Sequence, residues 1–230
     1  MAVSQKLIRA LRKTLRELGD PVKAPIMQAY MKSEMPYLGI QAAPFRKGAK
    51  AVIAAHPLDT FEEWTDTVLA LWRGARYREE RYAAIELAGY RTYEKFRTLD
   101  ALPMYEEMIA TGAWWDYVDT IASHRLGELL RRHPTELPRI LRQWAISDDI
   151  WIRRSAILAQ LGFKADTDLK LLYDCIQPSL HRPEFFLRKA IGRALRQHAW
   201  TDSKEVLRYV KANEKRLSPL SKREALKNIS

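Results

Sequence analysis

The sequence predicts an all-α fold built from stacked helix pairs, and three observations predict it. Apolar residues recur at three- and four-residue steps along nearly the whole chain, as Leu7, Leu11, Leu15 and Leu18 do at its start. Prolines fall at intervals that suit helix boundaries, in Asp20-Pro21, His56-Pro57, His133-Pro134 and Ser218-Pro219. A short pattern also returns: Arg78 opens REERYAAIELA, Trp114 opens WWDYVDTIASH, Ile150 opens IWIRRSAILAQ and Glu184 opens EFFLRKAIGRA. These segments place Ile85, Ile121, Ile157 and Ile191 at one position, with spacings of 36, 36 and 34 residues.

That period suits one helix pair per repeat, because a single pair cannot bury its apolar face and must stack on its neighbours. The Trp-Leu-Gly-Tyr pattern of tetratricopeptide repeats is absent, so the expected architecture is a HEAT-like solenoid, an α-α superhelix with a basic concave face. Residues 1–230 are expected to form a single domain of about twelve helices. Asp202 with Glu205 and Ser221 with Glu224 have capping-box spacing, and the second pair also fits a place one turn inside its helix. No segment alternates polar and apolar residues between glycine turns as a strand would.

Lys and Arg number 39 against 28 Asp and Glu, a net charge of +11. From His181 onward there are 13 basic residues against 5 acidic, a surplus of +8, which leaves +3 for the first 180 residues. A surplus this large favours a polyanionic partner such as nucleic acid, an anionic membrane or an acidic protein. Its asymmetry places the strongest contact in the last two repeats. The 47% hydrophobic content argues against a disordered chain.

Several classes are excluded or disfavoured. Cys175 is the one cysteine, so no internal disulfide forms, which fits a reducing cytoplasm; its setting in LLYDCIQ suggests a core residue and not a nucleophile. The amphipathic start MAVSQKLIRALRKTLREL lacks the apolar stretch of a signal peptide, and no segment approaches a membrane span. The five histidines show neither HExxH nor other paired metal spacing, and the phosphate-binding glycine motifs and GxSxG are missing. Neither a metal nor a cofactor is expected.

The unusual segment is Trp114-Trp115-Asp116-Tyr117-Val118-Asp119. Trp115 and Asp119 share a helix face, about 40° apart on the helical wheel, and Asp119 lies roughly 160° from the core marker Ile121. The pair is therefore expected to point away from the buried stripe. Asp116 reads as the helix cap after Gly112, but Asp119 is mid-helix, where Asp is unfavourable. Trp151 and Phe185 occupy Trp115's place in the next two repeats, with Arg153, Arg154, Arg188, Lys189, Arg193 and Arg196 nearby. Basic residues interleaved with aromatics suit a phosphate backbone with its sugars and bases.

At these residues the chain resembles the AlkD-like family of HEAT-repeat alkylpurine DNA glycosylases. The likeness runs through Tyr30-Met31-Lys32 and Leu38-Gly39-Ile40, Trp114 to Asp119, and Asp149-Ile150-Trp151 with Arg154 and Ala156-Ile157-Leu158. It continues in Glu184-Phe185-Phe186, Lys189-Ala190-Ile191-Gly192 and Ser221-Lys222-Arg223-Glu224-Ala225. The resemblance implies excision of N3- and N7-alkylated purines such as N7-methylguanine from duplex DNA, in base excision repair, by a monofunctional N-glycosyl hydrolase that needs no pocket for a flipped base. It implies Asp119, Trp115 and Arg154 as the catalytic set. DNA contacts are expected from Arg193, Arg188, Lys189, Arg153, Lys222, Arg223 and Tyr30. The expected partner is duplex DNA carrying alkylated purines, with no membrane and no obligate protein partner. The chain is expected to be a monomer, cytoplasmic and, in a prokaryote, nucleoid-associated.

One position departs from the family pattern. The family run Ala-Ile-Gly-Trp reads Ala190-Ile191-Gly192-Arg193 here, so a charge replaces an aromatic wall. Arg193 would repel a cationic sugar if it stayed close, or grip a phosphate if it swung outward. Two alternatives stand beside the glycosylase: a family member that binds DNA without cutting it, and a HEAT-type protein–protein scaffold.

Overall fold

The computed structural model describes residues 3–229, and among them there are helices and no strands. The chain divides between Met104 and Tyr105 into two compact units.

The first unit contains α1 (Gln5–Glu17), α2 (Lys23–Met31), α3 (Ala42–Ala55), α4 (Phe61–Arg73) and α5 (Arg78–Ala88), followed by two short 3₁₀ turns. The leucine stripe predicted for α1 is buried at Leu7, Leu11 and Leu15, and Ser4 caps the helix by accepting from the Leu7 N–H. Asp20 accepts from the N–H groups of Val22 and Lys23, so the Asp20-Pro21 signal does open α2. Pro57 lies in the link before α4, whose cap is Thr60. α3 and α5 pack on α1, and α4 packs on α5 around Trp64, Val68, Leu71, Trp72 and Leu87.

The connection between α2 and α3 is held by Glu79. Its buried carboxylate accepts from three successive backbone N–H groups, those of Leu38, Gly39 and Ile40, at 2.9–3.2 Å. Gly39 adopts φ +86°, and a Cβ there would lie 2.1 Å from the Asp20 carbonyl oxygen. Only glycine permits this close passage of two backbones.

α6 (Leu102–Gly112) runs across the division. The second unit continues with α7 (Trp115–Thr120), a π-helical turn (Ile121–Leu126) and α8 (Gly127–Arg132), which form one continuous rod. Then come α9 (Leu137–Trp144), α10 (Ile150–Leu158), α11 (Leu169–Ile176), α12 (Phe185–Ala199), α13 (Ser203–Ala212) and α14 (Pro219–Leu226). The described residues thus hold fourteen α-helical segments, two of them joined through the π turn, against about twelve expected.

The helices stack as the repeat predicts: α7 on α10, α10 on α12, and α12 on α14, with α9 and α11 pairing beside them. All four marker isoleucines, Ile85, Ile121, Ile157 and Ile191, are buried. Asp202 caps α13 through the Glu205 N–H. At α14 the cap is Ser218, accepting from the Ser221 N–H; Ser221 lies inside the helix and donates to the Arg188 carbonyl. Among the described residues no helix is long and apolar enough to cross a membrane.

Candidate functional site

The Trp114–Asp119 segment owes its position to a sharp turn. Ala113 sits at φ 39°, a left-handed conformation that costs a non-glycine residue free energy. Trp114 is then extended and serves as the N-cap of α7 without a side-chain cap bond. Asp116 is therefore not the cap expected from the sequence; it lies in the first turn, where its negative charge still favours the positive helix end. Immediately after Asp119 the helix widens into the π turn. Thr120 and Ser123 donate to the carbonyls of Asp116 and Asp119 one turn back, at 2.7 and 2.6 Å. Such back-bonding hydroxyls bend helices, and π turns recur at functional sites.

A direction away from the isoleucine stripe, as expected from the sequence, does not leave Asp119 exposed. It is buried, because its side of α7 is covered by side chains from α10 and α12. α10 supplies Arg154. Asp149 caps that helix by accepting from Trp151 and Ile152, and every residue from Trp151 to Leu158 is buried, which carries Arg154 into the interior. The Arg154 Nε meets Asp119 Oδ1 at 2.7 Å and its Nη2 meets Oδ2 at 2.8 Å. Its remaining nitrogen, Nη1, donates to the Phe186 carbonyl, so the whole guanidinium is fixed.

α12 supplies Arg193, whose Nη1 donates to Asp119 Oδ2. Of the two placements considered from the sequence, the structure has the close one: the guanidinium stays beside the carboxylate and does not swing outward. The Arg193 side chain is 42% exposed, against 4% for Arg154. Arg193 follows Gly192, where α14 crosses so closely that a Cβ would lie 2.4 Å from the Glu224 Cβ. Glu224 in turn binds Lys189 at 3.0 Å and Arg196 at 2.7 Å, and the Lys189 hydrogen bond holds its carboxyl below the usual range.

An aromatic cluster adjoins the carboxylate. Trp114 packs against Trp151 and Phe186 with ring centroids 6.2 and 5.3 Å apart, and Trp151 lies 4.8 Å from Phe186. The Arg154 guanidinium carbon sits 5.9 Å from the Phe186 ring centre. The three residues sharing one repeat position are therefore not equivalent: Trp151 is buried, Trp115 half-buried and Phe185 exposed. Trp114 takes the packing role, which leaves Trp115 one turn before Asp119 on the same helix face.

The expected DNA contacts also divide. Arg153 is buried, and its three nitrogens donate to the carbonyls of Ser147, Pro178 and Ile146, which makes it a staple between loops and not a free cation. Burial pulls its pKa below the ordinary arginine value. Lys189 is tied to Glu224, Lys222 to the Glu214 carbonyl, and Arg188 through Nε to the Arg182 carbonyl. Arg223 is exposed, and Tyr30 is 79% exposed on α2 of the first unit. Cys175 is buried and burial pushes its thiol up to about 12, so it is inert, as its apolar setting suggested.

The carboxylate–guanidinium cluster and the Phe186 contact that locks it were missed from the sequence. The signal was present in part: a mid-helix Asp at a buried position requires paired cations.

A family model described as DNA alkylation repair enzyme matches residues 11–229. A solved structure from Enterococcus faecalis, described as a predicted DNA alkylation repair enzyme, is 31% identical, with a TM-score of 0.82 over 92% of this chain and 97% of that one. Among functionally curated proteins none matches the sequence.

Proposed function

Because the chain belongs to the DNA alkylation repair enzyme family, we propose that it is a DNA glycosylase releasing N3- and N7-alkylated purines, such as N7-methylguanine, from duplex DNA. The observation that carries this reading is the Asp119 carboxylate, buried one turn after Trp115 and held rigidly by Arg154.

An N7- or N3-alkylated purine is already cationic. When its C1′–N bond breaks, the electron pair goes to the base, which leaves neutral and needs no acid to assist it. The demand falls on the deoxyribose, which becomes oxocarbenium-like, and on the water that adds to C1′ and gives up a proton. A preorganised carboxylate stabilises the first and orients and deprotonates the second. Trp115 adds a cation–π contribution of about 0.5–2 kcal/mol. Arg154 positions Asp119 by occupying both of its oxygens. The cations beside Asp119 are guanidiniums, which do not form Schiff bases, in keeping with a monofunctional hydrolase that leaves the DNA strand intact. Because the leaving group is labile, extrusion of the base into a pocket is not required. Arg223, Arg188 and Lys222 would hold the duplex from outside this centre.

A second reading, DNA binding without base release, is favoured by the Arg193 contact, since a second cation on Asp119 opposes a third. The two separate in a base-release assay on duplex DNA methylated with an N-methyl-N-nitrosourea-type reagent. The glycosylase reading expects release by the wild type, none by Asp119→Asn, and DNA affinity in the variant equal or improved. Tight binding without release above background by either protein supports the second reading. Absence of salt-dependent DNA binding would instead favour a protein–protein scaffold.

A further inference from the structure

Asp119 carries one negative charge and touches two guanidiniums, yet the two are held very differently. Arg154 lies side-on across both oxygens, places its third nitrogen on the Phe186 carbonyl and is 4% exposed. It has no direction in which to leave without stripping a buried carboxylate. Arg193 touches a single oxygen, Oδ2, through a single nitrogen and is 42% exposed. Its long side chain starts from a helix fixed against α14 at Gly192, so the guanidinium can turn outward while the backbone stays in place. The cluster of three groups carries a net charge of +1, which a cationic reaction centre would meet as repulsion.

We propose that Arg193 is an exchangeable counter-ion that sets the substrate specificity of this site; the inference rests on the glycosylase reading above. In the free protein Arg193 occupies the Oδ2 position, where the cationic deoxyribose must be stabilised. On the duplex, a backbone phosphate draws Arg193 off and the side of Oδ2 that Arg154 does not cover becomes available. The exchange keeps the charge count balanced: one cation leaves the carboxylate and another takes its place. A lesion that is cationic before bond cleavage competes with Arg193 throughout the reaction. A neutral lesion competes only in the transition state, when its sugar has become positive. Arg193 therefore discriminates against neutral alkylated bases and also contributes one phosphate contact to binding.

The test uses the full chain, its Arg193→Met and Arg193→Lys variants, and two duplexes of one sequence, carrying either N7-methylguanine or the neutral 1,N6-ethenoadenine. Binding to the undamaged duplex is measured as salt is raised. The plot of log affinity against log salt is expected to lose about 0.9 in slope in Arg193→Met, the value of one phosphate contact, and to keep it in Arg193→Lys. In single-turnover release, the rate ratio of the cationic to the neutral lesion is expected to fall by about tenfold in Arg193→Met, a change equal to one decade of transition-state discrimination. An unchanged slope, or an unchanged ratio where release is measurable, overturns the proposal. Wild type that releases neither base removes the glycosylase reading, and the exchange itself is then judged on the slope: a loss of about 0.9 supports it and no loss overturns it.

Discussion

Arg154 grips Asp119 side-on, Nε to Oδ1 at 2.7 Å and Nη2 to Oδ2 at 2.8 Å, with both side chains almost wholly buried. Two parallel charge-assisted bonds fix the carboxylate in direction as well as in place. A helix position that disfavours Asp on propensity grounds thus holds one because a matched cation arrives from the neighbouring repeat.

Removal of the two arginines should have unequal consequences for stability. Arg154→Met leaves a buried carboxylate with one partially exposed partner and is expected to cost about 3–5 kcal/mol. Arg193→Met removes a half-exposed partner from a carboxylate that Arg154 still holds and is expected to cost about 0–1 kcal/mol. Arg154→Lys should recover only part of the loss, because an ammonium cannot span both oxygens. Urea unfolding of the three variants checks the order, and a larger loss for Arg193→Met would contradict the picture of a replaceable outer cation.

The first unit offers a comparable test away from the site. Glu79 accepts three backbone N–H bonds between α2 and α3. In Glu79→Gln one carboxylate oxygen becomes an amide that faces backbone donors, so at least one buried N–H loses its acceptor. A loss of about 2–3 kcal/mol is expected, accompanied by faster amide exchange at Leu38, Gly39 and Ile40. Unchanged exchange at those three positions would mean that the connection is held by something other than Glu79.

The sequence made the helices and their stacking legible because both rest on periodicity. The marker isoleucines are buried at every repeat, and Asp20, Asp202 and Ser218 act at helix starts as local chemistry requires. Trp115 and Asp119 could be placed on one face for the same reason. Burial of that face could not be read from a single helical wheel, since it depends on Arg154 and Arg193, 35 and 74 residues further along. The wheel also lost its phase at Ile121, where the π turn begins. Arg153 and Arg154 are neighbours of the same type, yet one staples loops and the other holds the carboxylate. Composition treats them alike, and only the packing of α10 separates them.

Acid should reveal a second charge cluster. Glu205 accepts from the Tyr173 hydroxyl at 2.6 Å and from Arg208 at 2.6 and 2.7 Å. The Arg208 and Tyr173 bonds lower its pKa from 4.5 to about 2. A carboxyl whose folded pKa is depressed stabilises the fold above its unfolded pKa and loses that contribution as pH falls through the folded value. The stability gap between wild type and Glu205→Gln should therefore be full above about pH 5 and close as the pH approaches about 2. High salt should narrow the gap, since Arg208 is largely exposed. A gap that stays constant across this range would show that the two hydrogen bonds do not depend on the charge of Glu205.

Gly192 links the packing of the last helices to the chemistry of Asp119. A Cβ at this position would stand 2.4 Å from the Glu224 Cβ and 3.0 Å from the Ser221 carbonyl oxygen, so α14 must move if one is added. Overpacking of this kind typically costs about 1–3 kcal/mol. The displacement would also pull Glu224 from Lys189 and Arg196 and tilt the segment that carries Arg193. Gly192→Ala is therefore expected to lower the unfolding free energy by about that amount and to reduce DNA affinity at the same time. Arg196→Gln, which breaks one Glu224 contact without adding a Cβ, should weaken stability by less than about 1 kcal/mol. If the two variants were equally stable, the close crossing of α12 and α14 would not be what fixes Arg193 over Asp119.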